Sequence, residues 1–254
     1  MTTAPSTGSG TAGVQSIARA FQVLGVMADA DGELTISELA EASGLPLPTI
    51  HRIVRTMLDL GYAHQLTNRR YTLGPRLIGL GDRASRVLGV RAGADLRSLA
   101  EEIGETANMA VLDGERAVYT AQVPSRHSMR MFTEVGRRVH LHSTGVGKAL
   151  LAQLDDDEVR RLLRSAGTPV MTGRTIVDTD LLLAELAGIR RAGRAIDDEE
   201  QELGVFCVAV PVPGAPVPTA VSVSGPVQRF THDRAAEADT LLRRAAERIG
   251  GLFG

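Results

Sequence analysis

Residues 35–57 read TISELAEASGLPLPTIHRIVRTM, and this stretch decides the fold of the N-terminal region. Ile36, Leu39 and Ala40 recur at helical spacing. Gly44 follows, where a residue without Cβ turns the chain cheaply, and Leu45 plugs the corner. A second helix then carries Ile50, Ile53, Val54 and Met57 on its buried side. Thr49, His51, Arg52 and Arg55 are left facing outward. Short polar and cationic groups on the second helix of such a pair are what reach base edges and phosphates. The pattern is a helix-turn-helix.

Working outward, residues 14–28 place Val14, Ile17, Ala18, Phe21, Leu24 and Val26/Met27 near one stripe, the mark of a packing helix ahead of the motif. After the second helix, Tyr62-Ala63-His64 and Tyr71-Thr72-Leu73 read as short strands around a polar turn that holds Arg69 and Arg70. Three helices and a hairpin with a basic tip make a winged helix-turn-helix, whose tip reaches phosphates or the minor groove. Gly74-Pro75 punctuates the chain. Residues 75–90 follow as a linker helix whose apolar side suits pairing with a second subunit.

The chain has 254 residues, enough for two domains, and 43% of them are apolar. No apolar run approaches the roughly 20 residues of a membrane span. Residues 1–13 are polar, without the features of a signal peptide, and read as a flexible tail. The single cysteine, Cys207, fits a reducing cytoplasm. Zero Trp and 3% aromatics argue against a stacking platform for single strands. The net charge of −2 argues against nucleic acid until it is mapped. Over residues 1–45, Arg19 stands against Asp29, Asp31, Glu33, Glu38 and Glu41, giving −4. Over residues 46–76, Arg52, Arg55, Arg69, Arg70 and Arg76 stand against Asp59, giving +4. The positive field is local to the reading helix and the hairpin, and a dimer doubles it.

From residue 91 onward helices and strands alternate. Helices are expected over 94–104, 154–166, 180–192 and 231–252. Strands are expected over 106–112, 117–123, 129–134, 204–211 and 219–224, with Asp113-Gly114 marking a hairpin. The second domain is mixed α/β with an antiparallel component.

Together these pieces resemble the IclR family of bacterial transcriptional regulators over nearly the whole chain. In the first domain the resemblance is carried by Val14-Gln15-Ser16-Ile17-Ala18-Arg19-Ala20, Ser43-Gly44-Leu45-Pro46, Thr49-Ile50-His51-Arg52 and Tyr71-Thr72-Leu73-Gly74. In the second it is carried by Leu141-His142-Ser143-Thr144, Gly147-Lys148-Ala149-Leu150-Leu151-Ala152, Ala195-Ile196-Asp197-Asp198-Glu199-Glu200, Cys207 and Ser222-Val223-Ser224-Gly225-Pro226. It implies an α+β protein: a DNA-binding winged helix over 14–74, a linker helix over 75–90 and a GAF- or profilin-like effector domain over 91–254. It further implies homodimers or homotetramers on palindromic double-stranded operators, no cofactor, and repression of catabolic genes relieved by a small organic acid. Glyoxylate, pyruvate, an allantoin-pathway metabolite or an aromatic acid would suit. The chain departs from the family pattern at Leu47-Pro48, where relatives often carry Lys-Ser. Proline is tolerated at a helix start, but a capping hydroxyl is lost, so Thr49 becomes the helix-start phosphate contact.

Carried over position by position, the effector cleft has the backbone amides of Gly145 and Val146, then Asp197, Cys207, Ser222 and Ser224, against an apolar wall of Met131, Val139 and Val205. Ser222 and Ser224 share one face of a strand because side chains alternate with period two. Amides at the start of the helix after Thr144 suit a carboxylate. The plainer reading makes Cys207 a small core residue and the serines cross-sheet hydrogen bonders. His140, His142 and Cys207 lack the paired spacing of a zinc site. Gly145-Val146-Gly147-Lys148 imitates a phosphate loop, but His142 and Ala149 stand where Gly and Ser/Thr are needed. The rival reading from another class is a small-molecule enzyme with an appended DNA-binding domain. Its one nucleophile–base pair would be Cys207 with His142, which the spacing does not support. An activator is the alternative of opposite sign.

Overall fold

The computed structural model describes residues 14–30, 32–87, 92–130 and 134–253. The tail over 1–13, residues 88–90 of the linker helix, and Met131 lie outside them. The chain forms two compact units, residues 1–83 and 84–254.

In the first unit, α1 (Gln15–Asp29) leads into α2 (Ile36–Ser43). A reciprocal capping box starts α2. The Thr35 hydroxyl accepts from the Glu38 N–H at 3.2 Å, and the Glu38 carboxylate accepts from the Thr35 N–H at 2.7 Å. Gly44 ends it at φ +67°, the left-handed conformation expected of that turn. Helix α3 (Leu47–Leu60) buries Ile50, Val54 and Met57 against Leu39, Val23 and Met27, so the predicted face of the second helix is the one that packs. The hairpin pairs β1 (Ala63–Gln65) with β2 (Tyr71–Leu73), and Leu34 adds a bridge to Tyr71. Gly74 holds the corner because a Cβ there would sit 2.3 Å from the Gly61 carbonyl oxygen. Helix α4 (Arg76–Val87) follows.

The stripe read on α1 requires correction. Val23 and Met27 are its buried residues, while Val14, Ile17 and Phe21 are exposed, Phe21 at 69%. Leu24, Val26 and Met27, at the C-terminal end of the stripe, pack with α2 and α3, whereas its N-terminal part opens onto a groove of about 650 Å³ lined by Ile17, Phe21, Leu24, Ile53, Leu60 and Leu80, all within the first unit.

The second unit runs α5 (Gly93–Ile103), β3 (Thr106–Asp113), β4 (Arg116–Val123), β5 (Arg138–Val139), α6 (Gly145–Leu151), α7 (Asp156–Ala166), α8 (Thr179–Ala192), β6 (Ala195–Asp198), β7 (Val205–Pro211), β8 (Thr219–Pro226) and α9 (His232–Gly250). Its described strands form one antiparallel sheet in the order β5-β4-β3-β8-β7-β6. Alternation gives the sheet two different faces. Met109, Phe206, Val208, Val221 and Val223 pack with residues of α5 and α9. On the opposite face Ala110, Ala209 and Ala220 pack with α6, α7 and α8, their small side chains making room for α6. The architecture is the expected α+β arrangement. Two strands were not anticipated, β5 and β6. Of the strand expected over 129–134, residues 131–133 lie outside the described ones, and Met129, Arg130 and Glu134 are in no strand.

Candidate DNA-reading surface and effector site

On α3, His51, Arg52 and Arg55 are exposed and Thr49 is half-buried. The start of this helix is short of free donors. Pro48 has no N–H, and the Thr49 and Ile50 amides are both spent on the Pro46 carbonyl, at 2.8 and 3.1 Å. Recognition by this helix therefore falls to side chains more than to backbone amides.

The two hairpin arginines, alike in the sequence, are placed differently. Arg69 is exposed at the tip with φ +64°. Arg70 turns back. Its Nη2 donates to Glu38 Oε2 at 2.7 Å and its Nε to the Glu33 carbonyl at 2.9 Å. Asn68 bonds the Glu33 carboxylate as well. One Glu38 carboxylate thus caps α2 and holds the wing. The α2 backbone bond, then the Arg70 guanidinium, keep its pKa below the usual carboxylate value.

In the second unit the cross-strand register gathers the polar residues. Cys207 lies opposite Asp197 on one side and Ser224 on the other, and Ser222 lies opposite Ala209. Helix α6 covers this row at close range: a Cβ on Gly145 would stand 2.9 Å from Cys207 Sγ. Asp197, Cys207, Ser222, Ser224, Gly145, Val146 and Val205 are all buried. Val139 is also buried, but on edge strand β5, four strands from Cys207, within the apolar cluster of Val146 and Leu150.

Burial lifts the Asp197 carboxyl from 3.8 to about 7, although its Oδ1 accepts the Glu200 N–H at 2.8 Å and the Gln201 N–H at 3.3 Å. Burial pushes the Cys207 thiol up to about 12, and the nearby Asp197 carboxylate adds to the effect. A thiol so poised is protonated and inert. Ser222 Oγ is buried with no strong hydrogen-bond partner, only the Cys207 thiol beside it. The fully buried Lys148 ammonium contacts Glu185 at 2.6 Å and Glu200 at 2.5 Å. Desolvation disfavours its charge, but the two carboxylates outweigh desolvation and its pKa ends above the usual lysine value. Lys148 is therefore committed to the protein.

The site includes two residues that the sequence reading missed, Asn108 and Gln122. They continue the polar row on β3 and β4 through the register pairs Asn108↔Ser222 and Asn108↔Gln122. The signal was present in β3, where Thr106 and Asn108 alternate with Ala107 and Met109, but which face looks toward α6 is settled only by strand pairing. The histidines have structural surroundings. His142 is buried and bonds the Pro169 carbonyl at 3.0 Å, and His140 bonds Arg116 at 2.7 Å. Burial holds both below the usual imidazole pKa. Among the described residues no three His, Cys, Asp or Glu side chains converge as a metal site, and no helix is long and apolar enough to cross a membrane.

The family model for the IclR helix-turn-helix domain matches residues 16–67, and that for the bacterial transcriptional regulator IclR C-terminal matches residues 86–250. The transcriptional repressor IclR of Escherichia coli strain K12 is 36% identical over 99% of this chain and 93% of its own length. The regulator KdgR of the same organism is 35% identical over 95% of this chain and 93% of its own. The crystal structure of Thermotoga maritima IclR superposes with a TM-score of 0.76 at 29% identity, covering 94% of this chain and 99% of that one. A helix-turn-helix with an exposed cationic face, a basic wing held by Glu33 and Glu38 and a polar row buried under α6 therefore stand in a chain that matches this family over both units: it belongs to the IclR family of bacterial transcriptional regulators, and is a DNA-binding regulator rather than an enzyme.

Proposed function

We propose that this protein represses a set of catabolic genes and leaves its operator when a small organic acid binds its C-terminal unit. The observation that carries the reading is the buried polar row under α6, where strand register brings Asp197, Cys207, Ser222 and Ser224 together and only the weakly hydrogen-bonding Cys207 thiol faces Ser222 Oγ. A buried hydroxyl without a strong partner gains when a ligand supplies one. Gly145 and Val146 amides, Ser222 and Ser224 supply donors, Asp197 the polar end, and Val205 the apolar wall beside Cys207, whereas Val139 lies four strands away. Glyoxylate, pyruvate or an allantoin-pathway metabolite fits this chemistry, as does an aromatic acid.

On the output side, Thr49, His51, Arg52 and Arg55 read the major groove and Arg69 contacts backbone phosphate. Arg70, anchored to Glu33 and Glu38, sets the angle of the wing. The DNA is a palindromic operator and the reader a homodimer or homotetramer in the cytoplasm. Ile17, Phe21 and Leu80 are exposed along one apolar groove, and a second copy of the chain covers it. An effector that favours one dimer arrangement by a few kcal/mol is enough to switch occupancy.

Footprinting and calorimetry test the two halves separately. Arg52→Ala weakens operator binding about tenfold or more and leaves effector binding intact. Ser222→Ala with Ser224→Ala keeps operator binding and abolishes release. Unchanged operator affinity in the first variant, or intact release in the second, refutes the corresponding half.

A further inference from the structure

Asn108 is fully buried, and it sits in the middle of the polar row. Its Nδ2 donates to Ser224 Oγ at 3.2 Å, and its Oδ1 accepts from Gln122 Nε2 at 3.2 Å. Its register partner on β8 is Ser222, whose hydroxyl faces only the Cys207 thiol. A chain of neutral groups therefore runs from β4 across β3 to the two serines, in a region where Lys148 is already shared by two carboxylates.

The order of donors and acceptors along this chain has a chemical consequence. A serine hydroxyl has one proton to give and two lone pairs. When an amide N–H fills a lone pair of Ser224, the serine's own proton stays available for an acceptor outside the sheet. Gln122, donating to Asn108 Oδ1, keeps the amide turned that way. An acceptor at position 108 would take the serine's proton and leave the hydroxyl able only to accept.

We infer that Asn108, oriented by Gln122, is a positioning residue that makes Ser224 a donor, and that it selects effectors presenting a carboxylate or carbonyl oxygen over effectors presenting a donor at that point. The inference rests on the reading of this row as the effector site. Charge selection is then made by aligned neutral dipoles, which add no further charge to a buried site already holding Lys148, Glu185, Glu200 and Asp197.

Calorimetric titration of the full chain with glyoxylate, pyruvate and 4-hydroxybenzoate identifies the acid bound best. That acid and its primary amide are then titrated into wild type, Asn108→Asp and Asn108→Ala. Asn108→Asp keeps the shape and reverses the hydrogen bond, so affinity for the acid falls tenfold or more and the preference for acid over amide shrinks. Asn108→Ala gives the same trend to a smaller extent and carries the test if the buried aspartate prevents folding. Operator affinity without ligand stays at the wild-type value in both. Variants that bind the acid like wild type overturn the inference, and so does an equal loss of acid and amide, which marks a merely structural residue. Failure of all three acids to bind wild type overturns the effector-site reading itself, and the inference with it.

Discussion

Gly145 is the point at which the geometry of the candidate effector site can be tested by a single methyl group. A Cβ at this position would lie 2.9 Å from Cys207 Sγ and 3.5 Å from both Cys207 Cβ and its carbonyl oxygen. The backbone there is helical, so alanine is conformationally welcome and gains roughly 0.4–1 kcal/mol through the unfolded chain. The steric term opposes this. Cys207 is short, fully enclosed and fixed on a central strand, so it cannot swing aside as a long side chain would. Overpacking of this kind costs about 1–3 kcal/mol. Gly145→Ala is therefore expected to destabilise the C-terminal unit by roughly 1–2 kcal/mol. Cys207→Ala alone leaves a one-atom cavity and costs about 1 kcal/mol. The double variant removes the clash and fills the cavity, so it is more stable than the two single costs predict, by about 1–2 kcal/mol. Urea denaturation of the four proteins, followed by far-UV circular dichroism, closes the cycle, with the C-terminal transition fitted separately. Stability of Gly145→Ala equal to wild type, or a coupling under about 0.5 kcal/mol, would refute the close approach of α6 to β7.

Three further expectations follow from the same structure. Arg69→Ala flattens the dependence of log affinity for operator on log salt by about one per wing, whereas Arg70→Ala leaves that slope unchanged and lowers the melting temperature of the N-terminal unit; equal slopes for both would refute the division of labour. Asp197 ionises at 3.8 when unfolded and at about 7 when folded, so between these values the unfolded chain holds fewer protons and stability falls as pH rises, by a few kcal/mol in all; Asp197→Asn flattens this decline in a pH series of urea melts and is the more stable protein at pH about 8. Phe21→Asp, placed where the ring is 69% exposed, leaves each unit folded but shifts sedimentation toward the monomer and reduces operator affinity; an unchanged sedimentation profile counts against this face as the subunit contact.

The parts of the fold that were legible in the sequence are those set by local spacing. Ile50, Val54 and Met57 lie within two turns of one helix, and Gly44 needs only its own backbone, so the helix-turn-helix could be read residue by residue. Where neighbours distant in sequence decide, the reading failed. The apolar stripe on α1 predicted a buried face, yet the core side is set by what α2 and α3 present, and Ile17 and Phe21 were left outside. Arg69 and Arg70 are indistinguishable in composition, and the residue that separates them is Glu38, 32 positions away. Strands β5 and β6 are too short to carry a period of their own. Asn108 showed in the alternation of β3 but could not be assigned to the candidate site, for a related reason. It belongs to the site only through two strand registers, and no local pattern encodes a register.

Lys148 shows how placement changes the meaning of a motif. Beside Gly145 and Gly147 it looks like a cation offered to an anion, and the missing glycine and hydroxyl were enough to reject a phosphate loop. The structure supplies the stronger reason. The ammonium is fully buried and already held by Glu185 and Glu200, so removing it would strand two carboxylates, at a cost of about 3–5 kcal/mol. It ties α6 to α8 and to the turn after β6, the same turn whose amides bond Asp197. The lysine therefore builds the site without serving as its charge partner. Under the proposed reading, an acidic effector is held by the hydroxyls of Ser222 and Ser224 and the amides that open α6, next to an aspartate that burial keeps largely protonated below neutral pH. A site of that composition distinguishes ligands by where they place hydrogen-bond acceptors, and small changes at Asn108 or Asp197 should retune it without disturbing the helix that reads DNA.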